Sequence, residues 1–242
     1  MEINLDPIQK QIDTTTNESQ FGVTPVPYHT HTGIDSPLID TKNLESFVNV
    51  NWSKYFRWFT FFESLDGYSK QGNAPTIDET GVILTTTNVG GNFSHLLKNP
   101  ATNILKFNTN TKFKLDINPG AGCFTSSTIY LTVGTWGIGE SYFGFEILDG
   151  VLYGSSSNPD TIATNKTTLA TLSDSVSTYT LEARLYDKGR IDFYLDNVQK
   201  GTVSTEIPIK QSFADIVFFY LKTDNAAVKT ITIPYFEYIQ ER

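Results

Sequence analysis

Two of the chain's three histidines, His29 and His31, stand one residue apart in Pro27-Tyr28-His29-Thr30-His31-Thr32-Gly33-Ile34-Asp35-Ser36-Pro37-Leu38. In extended backbone, residues i and i+2 project to the same side, so both imidazoles can face one point. Imidazole nitrogen suits iron, zinc and nickel. Two such ligands leave a metal's coordination sphere unfilled, so a site here would need further copies of the chain. The competing readings are stacking and hydrogen bonding between copies without a metal, or plain exposure. Pro25, Pro27 and Pro37 exclude a helix interior or a central strand. Backbone of this kind needs hydrogen-bond partners from elsewhere, and neighbouring copies are one source.

Other residues with chemical potential are scattered. Glycoside hydrolysis needs two positioned carboxylates. Glu146 and Asp149 lie three apart, and Asp192 and Asp196 fall near or in turns, where Asp is ordinary. Gly134-Thr135-Trp136-Gly137-Ile138-Gly139 follows a strand without a helix after it and reads as a loop. No Gly-x-Ser-x-Gly elbow and no phosphate-cradling glycine loop ending in Lys is present. His95 stands alone and is expected to be structural or exposed. Cys123, the sole cysteine, forms no intrachain disulfide and reads as a buried small apolar side chain. The expectation is a chain that is not an enzyme and requires no cofactor. Trp136, Tyr142, Tyr153 and Tyr194 are candidates for stacking on sugar rings. Tyr142 and Tyr194 fall on the polar phase of their strands; the competing reading sets that phase against a second sheet or another subunit.

Composition bounds the class. The chain has 242 residues, enough for one sizeable domain plus an extension, and 13% of them are aromatic, which favours a packed core. Its net charge is −8 with no dense basic run, so neither nucleic acid nor an anionic membrane surface is an expected partner. No apolar run approaches the ~20 residues of a membrane span. Met1 to Asp6 lacks the basic-then-apolar pattern of a secretory signal, so synthesis in a cytoplasm without an address is expected.

The elements that must position these groups follow in order. Residues 2–12 can form one short helix, capped by Asp6 with Pro7 in its first turn. Residues 13–20 read as a polar linker. Residues 21–38 are extended, 39–51 transitional, and from Trp52 the period becomes two. Tyr55 to Phe62, Gly81 to Thr87 and Ile104 to Asp116 read as strands. Tyr142 to Ile147 turns at Asp149-Gly150 into Val151-Leu152-Tyr153. Residues 154–177 read as a polar loop. Thr178 to Val203 is a three-stranded meander turning at Asp187-Lys188-Gly189 and at Asp196-Asn197. Ile216 to Leu221 is nearly continuously apolar and is expected centrally, covered on both faces. Val228 to Tyr238 closes the series. Some ten or more short strands with almost no helix signal make an all-β antiparallel sandwich.

The order Tyr142-Phe143-Gly144-Phe145-Glu146-Ile147, polar loop, Tyr179 to Leu185, then Ile191-Asp192-Phe193-Tyr194-Leu195-Asp196-Asn197 resembles the concanavalin-A-like jelly roll. That resemblance implies fold more than function, because the family spans lectins, glycosidases, adhesion modules and viral fibre heads. Its glycosidases carry Glu-x-Asp-x-x-Glu on one strand, and Glu146-Ile147-Leu148-Asp149 departs from that spacing. Separately, Tyr28 to Leu38 resembles the His-x-His-x-Gly-x-x-Ser-Pro segment of bacteriophage tail-fibre, spike and related virion proteins. In some of those fibres three parallel chains supply six imidazoles to an iron ion on the three-fold axis. The resemblance therefore implies a homotrimer, with His29 and His31 shared between three chains around iron or another transition metal.

These readings combine into a specific expectation. Residues 1–20 attach the chain to other virion proteins, residues 21–50 form an extended trimeric neck, and residues 52–242 form the jelly-roll head. The whole is an antiparallel β-sandwich preceded by an N-terminal arm with little regular structure. The expected role is that of a virion protein made in the host cytoplasm: a tail-fibre, spike or capsid-decoration subunit adhering to host-surface glycans. The alternative is a carbohydrate-active enzyme or a sugar-binding, lectin-like module of the jelly-roll class.

Overall fold

A computed structural model describes residues 55–241 apart from 61, 63, 99–106, 108, 135–139, 159, 162, 188 and 209–216, with backbone alone for 55–59. The expectations for the attachment segment, the neck, His29, His31 and Trp136 lie outside the described residues. The described chain is all strand and turn, and no helix among these residues is long and apolar enough to cross a membrane.

The strands run in chain order as β1 (Tyr55–Thr60), β2 (Ser69–Gly72), β3 (Thr76–Asp78), β4 (Gly81–Thr85), β5 (Phe93–Lys98), β6 (Thr111–Pro119), β7 (Ser127–Gly134) and β8 (Tyr142–Leu148). They continue as β9 (Val151–Asn158), β10 (Ala163–Thr171), β11 (Tyr179–Tyr186), β12 (Arg190–Leu195), β13 (Val198–Val203), β14 (Val217–Thr223) and β15 (Thr230–Glu241). Two antiparallel sheets result. The first has the order β13-β12-β11-β6-β15-β4-β3, with β1 also paired to β15; the second is β10-β9-β8-β7-β14-β5-β2. One edge of β15 is shared: Thr230 to Ile233 pair with β4, and Phe236 to Glu241 pair with β1.

Turn chemistry sets the hairpins. Asp149 and Gly150 both take positive φ (48° and 76°), as do Asp196 and Asn197 (51° and 64°). Two consecutive left-handed residues are what a two-residue hairpin loop requires to match the strand twist. The first pair joins β8 to β9 with Leu148 opposite Val151, and the second joins β12 to β13 with Leu195 opposite Val198. The meander expected over 178–203 is β11-β12-β13, and β14 lies inside its sheet between β7 and β5. Residues 154–177, expected as a polar loop, instead hold the end of β9 and the whole of β10. β10 reads Ala-Thr-Asn-Lys-Thr-Thr-Leu-Ala-Thr and is an edge strand. It needs no alternating apolar residues because the core scarcely reaches it.

Between the sheets lies a phenylalanine-rich core. Phe113 packs against Phe143, Phe145 and Phe236 at 5.4, 5.8 and 6.0 Å between ring centroids. Phe145 meets Phe193 at 5.6 Å, and Phe219 meets Phe236 at 5.6 Å. Cys123 is buried as expected, and burial pushes its thiol up to about 12. With strand period two, packing these rings inward assigns every alternate residue to an outer face.

Candidate functional site

The two outer faces differ in chemistry. On the first sheet, register places Lys112 and Lys114 of β6, Glu182 and Arg184 of β11, Asp192 and Tyr194 of β12 and Glu237 of β15 on one side. Ion pairs run along single strands, Arg184 with Glu182 on β11 and Arg190 with Asp192 on β12 (3.2 Å), and one crosses from β6 to β15, Lys112 with Glu237 (3.7 Å). The Arg184 guanidinium lies 4.3 Å from the Tyr194 ring centre. It is a ladder of mutually satisfied charges.

The second sheet carries a row that crosses six strands. Successive register partners are Tyr153 on β9, Glu146 on β8, Tyr130 on β7, Tyr220 on β14, His95 on β5 and Gln71 on β2. Flanking positions on the same face add Tyr142, Ser155, Lys166, Phe218 and Phe93. Phe93, Tyr220 and Tyr130 form a stacked ladder, with neighbouring centroids 5.6 Å apart and planes 24° and 30° from parallel. All three rings are half-buried. Half-buried tyrosines offer an apolar body and a polar tip together.

Between Tyr153 and Tyr130 in the row sits Glu146, with no exposed surface. Its Oε1 accepts hydrogen bonds from the Ser155 hydroxyl (2.5 Å) and the Tyr142 hydroxyl (3.3 Å), and those two hydroxyls lie 3.2 Å apart. The other oxygen, Oε2, pairs with the Lys166 ammonium from β10. Burial, followed by the nearby Glu146 charge among smaller causes, raises the Tyr130 pKa. Tyr142 is raised chiefly by its own burial. Both phenols therefore stay protonated at neutral pH and act as donors. Gly144, between Tyr142 and Glu146, permits the β7 backbone to approach: a Cβ there would lie 2.7 Å from the Cα of Thr132.

Of the four candidates for stacking on sugar rings, Trp136 lies outside the described residues and the other three do not share one face. Tyr142 and Tyr153 share the second sheet's outer face, but Tyr142 is only 1% exposed and serves as a hydrogen-bond donor beneath Lys166's partner. Tyr194 lies on the outer face of the other sheet, against Arg184. The polar phase of β8 and that of β12 point to opposite sides of the sandwich, which single-strand periodicity cannot distinguish. Tyr130, Tyr220 and His95 were missed. Tyr130 alternates with the apolar residues of its strand, Tyr220 lies in a run read as covered on both faces, and β5 does not stand out by its apolar period. The Tyr-x-x-x-Glu spacing of Tyr142 and Glu146 was the available signal, since both residues fall on one face of a strand.

Elsewhere, a depression is lined by Phe124, Ser126, Asp149, Gly150, Ser173 and Asp174. Its carboxylate Asp174 accepts the Phe124 backbone N–H at 3.1 Å, and the Asp149 N–H donates to the Ser127 carbonyl at 3.1 Å. Those contacts close turns. Among the described residues, no three His, Cys, Asp or Glu side chains gather into a set that could hold a metal ion.

No protein-family model matches the chain, and no curated protein matches it in sequence. Solved structures match it in fold. A protein of unknown function from Shewanella oneidensis MR-1 aligns with 100% of this chain and 97% of its own at TM-score 0.54 and 12% identity. A Bacillus licheniformis β-glucanase aligns with 75% of this chain and 97% of its own at TM-score 0.57 and 12% identity. A prokaryotic β-1,3-1,4-glucanase (lichenase) from a mouse hindgut metagenome aligns with 76% and 98% at TM-score 0.58 and 9% identity. At such identities the likeness is one of fold: the described chain is an antiparallel jelly-roll sandwich, as expected.

One expectation is corrected by these neighbours. The sequence reading set the chain aside as not an enzyme, because the carboxylate spacing of jelly-roll glycosidases was absent. Two β-glucanases share the fold over three quarters of the chain. The exclusion of enzymatic activity is therefore withdrawn.

Proposed function

We propose that this chain is a glycan-directed jelly-roll protein whose ligand lies along the outer face of the second sheet. The observation that carries the reading is the row Tyr153–Glu146–Tyr130–Tyr220–His95. Aromatic rings there supply apolar stacking surface, with phenol hydroxyls and the His95 imidazole beside them at fixed spacing and the buried Glu146 carboxylate holding the Tyr142 and Ser155 hydroxyls. A saccharide presents the matching pattern: apolar ring faces rimmed by hydroxyls. The opposing face offers charges already paired with one another and no comparable run of half-buried rings. Fixed apolar surface with a few converging polar groups is the general form of a small-ligand site.

The proposal extends to setting and assembly. The resemblance of Tyr28 to Leu38 to virion-fibre segments supports a bacteriophage fibre, spike or decoration subunit. In it, residues 1–20 attach the chain to other virion proteins and residues 21–50 hold three copies together. Three heads would multiply weak glycan contacts into useful avidity. Sedimentation of the full chain tests the assembly, and a stable monomer would overturn it. Elemental analysis tests the metal, with about one iron per three chains expected for a six-imidazole site.

A glycan array combined with a depolymerisation assay tests the central reading. Full chain should bind a defined glycan class, and Tyr130→Ala and Tyr220→Ala should each abolish that signal. A silent array and silent assay would refute the reading. Turnover of a bound polysaccharide would extend it from adhesion to hydrolysis.

A further inference from the structure

The row continues past Tyr220 onto β5 and β2, where His95 stands between Tyr220 and Gln71 in register. His95 is 8% exposed, and its buried Nε2 meets no hydrogen-bond partner among the described residues. Its ring contacts Phe218 at 4.5 Å and 62° and Tyr220 at 5.6 Å and 81°. Burial lowers its pKa to about 4, so the imidazole is neutral at physiological pH. A buried polar atom without a partner is destabilising, and native proteins keep few of them outside functional sites.

Charge on this face narrows the ligand. Register places two lysines here, Lys166 and Lys222, and both are engaged. Lys166 pairs with Glu146, and Lys222 pairs with Asp224 at 2.7 Å. Asp224 also accepts from the Thr128 hydroxyl at 3.1 Å. No cation among the described residues of the face is left to meet a carboxylate or sulfate on a sugar.

We infer that the β14–β5–β2 end of this face is a subsite for an uncharged sugar ring, in which His95 Nε2 hydrogen-bonds a ring hydroxyl and the Phe93–Tyr220–Tyr130 ladder supplies the apolar wall. This rests on the glycan reading above and assigns it a chemical class and a recognition residue. Neutral imidazole can donate or accept, and a hydroxyl can answer either way.

The test titrates full chain with neutral gluco- and galacto-oligosaccharides and with 3′-sialyllactose, by calorimetry. Binding should be confined to the neutral sugars. His95→Ala should weaken it about tenfold, the size of one lost hydrogen bond. His95→Gln, which keeps a polar side chain of similar reach, should stay within about threefold of wild type. In wild-type protein carrying 15N-histidine, the His95 imidazole signal, assigned by its loss in His95→Gln, should move on sugar addition. That measurement stands even if His95→Ala does not fold. Wild type that binds no sugar overturns the glycan reading and this subsite with it. Wild type that binds while His95→Ala is unaffected and the imidazole signal is still overturns the subsite alone. Preference for 3′-sialyllactose overturns the uncharged class.

Discussion

Lys166 reads in sequence as an ordinary surface lysine in a threonine-rich stretch, and the structure predicts that Lys166→Ala is strongly destabilising. Its ammonium is the one cationic partner of Glu146 among the described residues, and the Glu146 carboxylate has no exposed surface. Removing one partner of a buried pair typically costs about 3–5 kcal/mol, because the remaining charge is stranded. Two corrections lower that figure. Ser155 and Tyr142 still donate to Oε1 at 2.5 and 3.3 Å. The lysine side chain is itself 36% exposed, so truncating it lets water approach Oε2. The expected loss is about 2–3 kcal/mol, which for a chain of this size lowers Tm by about 5–10 °C. Lys70→Ala on the exposed edge strand β2 is the control and should shift stability by under about 0.5 kcal/mol. Urea unfolding followed by tryptophan fluorescence measures both. The double variant Glu146→Gln/Lys166→Ala should recover part of the loss, since no charge is then stranded. A Lys166→Ala protein as stable as the Lys70→Ala control would refute the reasoning, by showing that the Glu146 carboxylate is hydrated rather than enclosed.

Three further outcomes follow from the same geometry. Gly154→Ala should lower stability by about 1–3 kcal/mol in the same urea assay, because the new Cβ would drive into the buried Phe193 ring on the facing sheet, while glycan affinity stays unchanged. Tyr194→Ala should leave glycan binding intact, since that ring lies on the opposite outer face, and should cost the Arg184 contact, about 0.5–1 kcal/mol, together with its hydrogen bond to Tyr186; lost glycan binding would place the ligand on the wrong sheet. His95 titrates at about 4 in the folded chain against 6.5 unperturbed, so the unfolded state takes up the proton first as pH falls. Its contribution to stability is complete above about pH 6.5 and disappears as pH falls toward 4. Urea midpoints measured at pH 4.5 and 7 should therefore differ more in wild type than in His95→Gln.

Much of the sandwich could be read along the chain because its determinants are local. Alternation over Tyr179 to Tyr186 and Arg190 to Leu195 follows from the strand period. The Asp149-Gly150 and Asp196-Asn197 loops follow from residues that tolerate positive φ. The apolar run at Val217 to Leu221 belongs to an interior strand because both of its edges are paired. Strands whose stability comes from neighbours were not readable. β10 is polar and exposed and exists through its pairing with β9; β5 was passed over, and β2 and β3 are short edges paired to β5 and β4.

Sequence alone determined the class of fold, the position of its turns and the burial of Cys123, all of which follow from residue type and period within a few neighbours. It also marked Glu146 as polar on an otherwise apolar strand. Only the tertiary structure decided which of two outer faces each polar phase occupies. Tyr142 and Tyr194 have the same phase in sequence, yet they lie on opposite sides of the molecule. That assignment depends on which sheet a strand joins, a matter of pairings between segments far apart in the chain. The candidate site was hidden for the same reason. Its residues come one per strand from β9, β8, β7, β14 and β5; apart from Glu146 and Tyr153, which face each other across the Asp149-Gly150 hairpin, neighbouring members lie far apart in sequence, and only the register of the sheet draws them into a line.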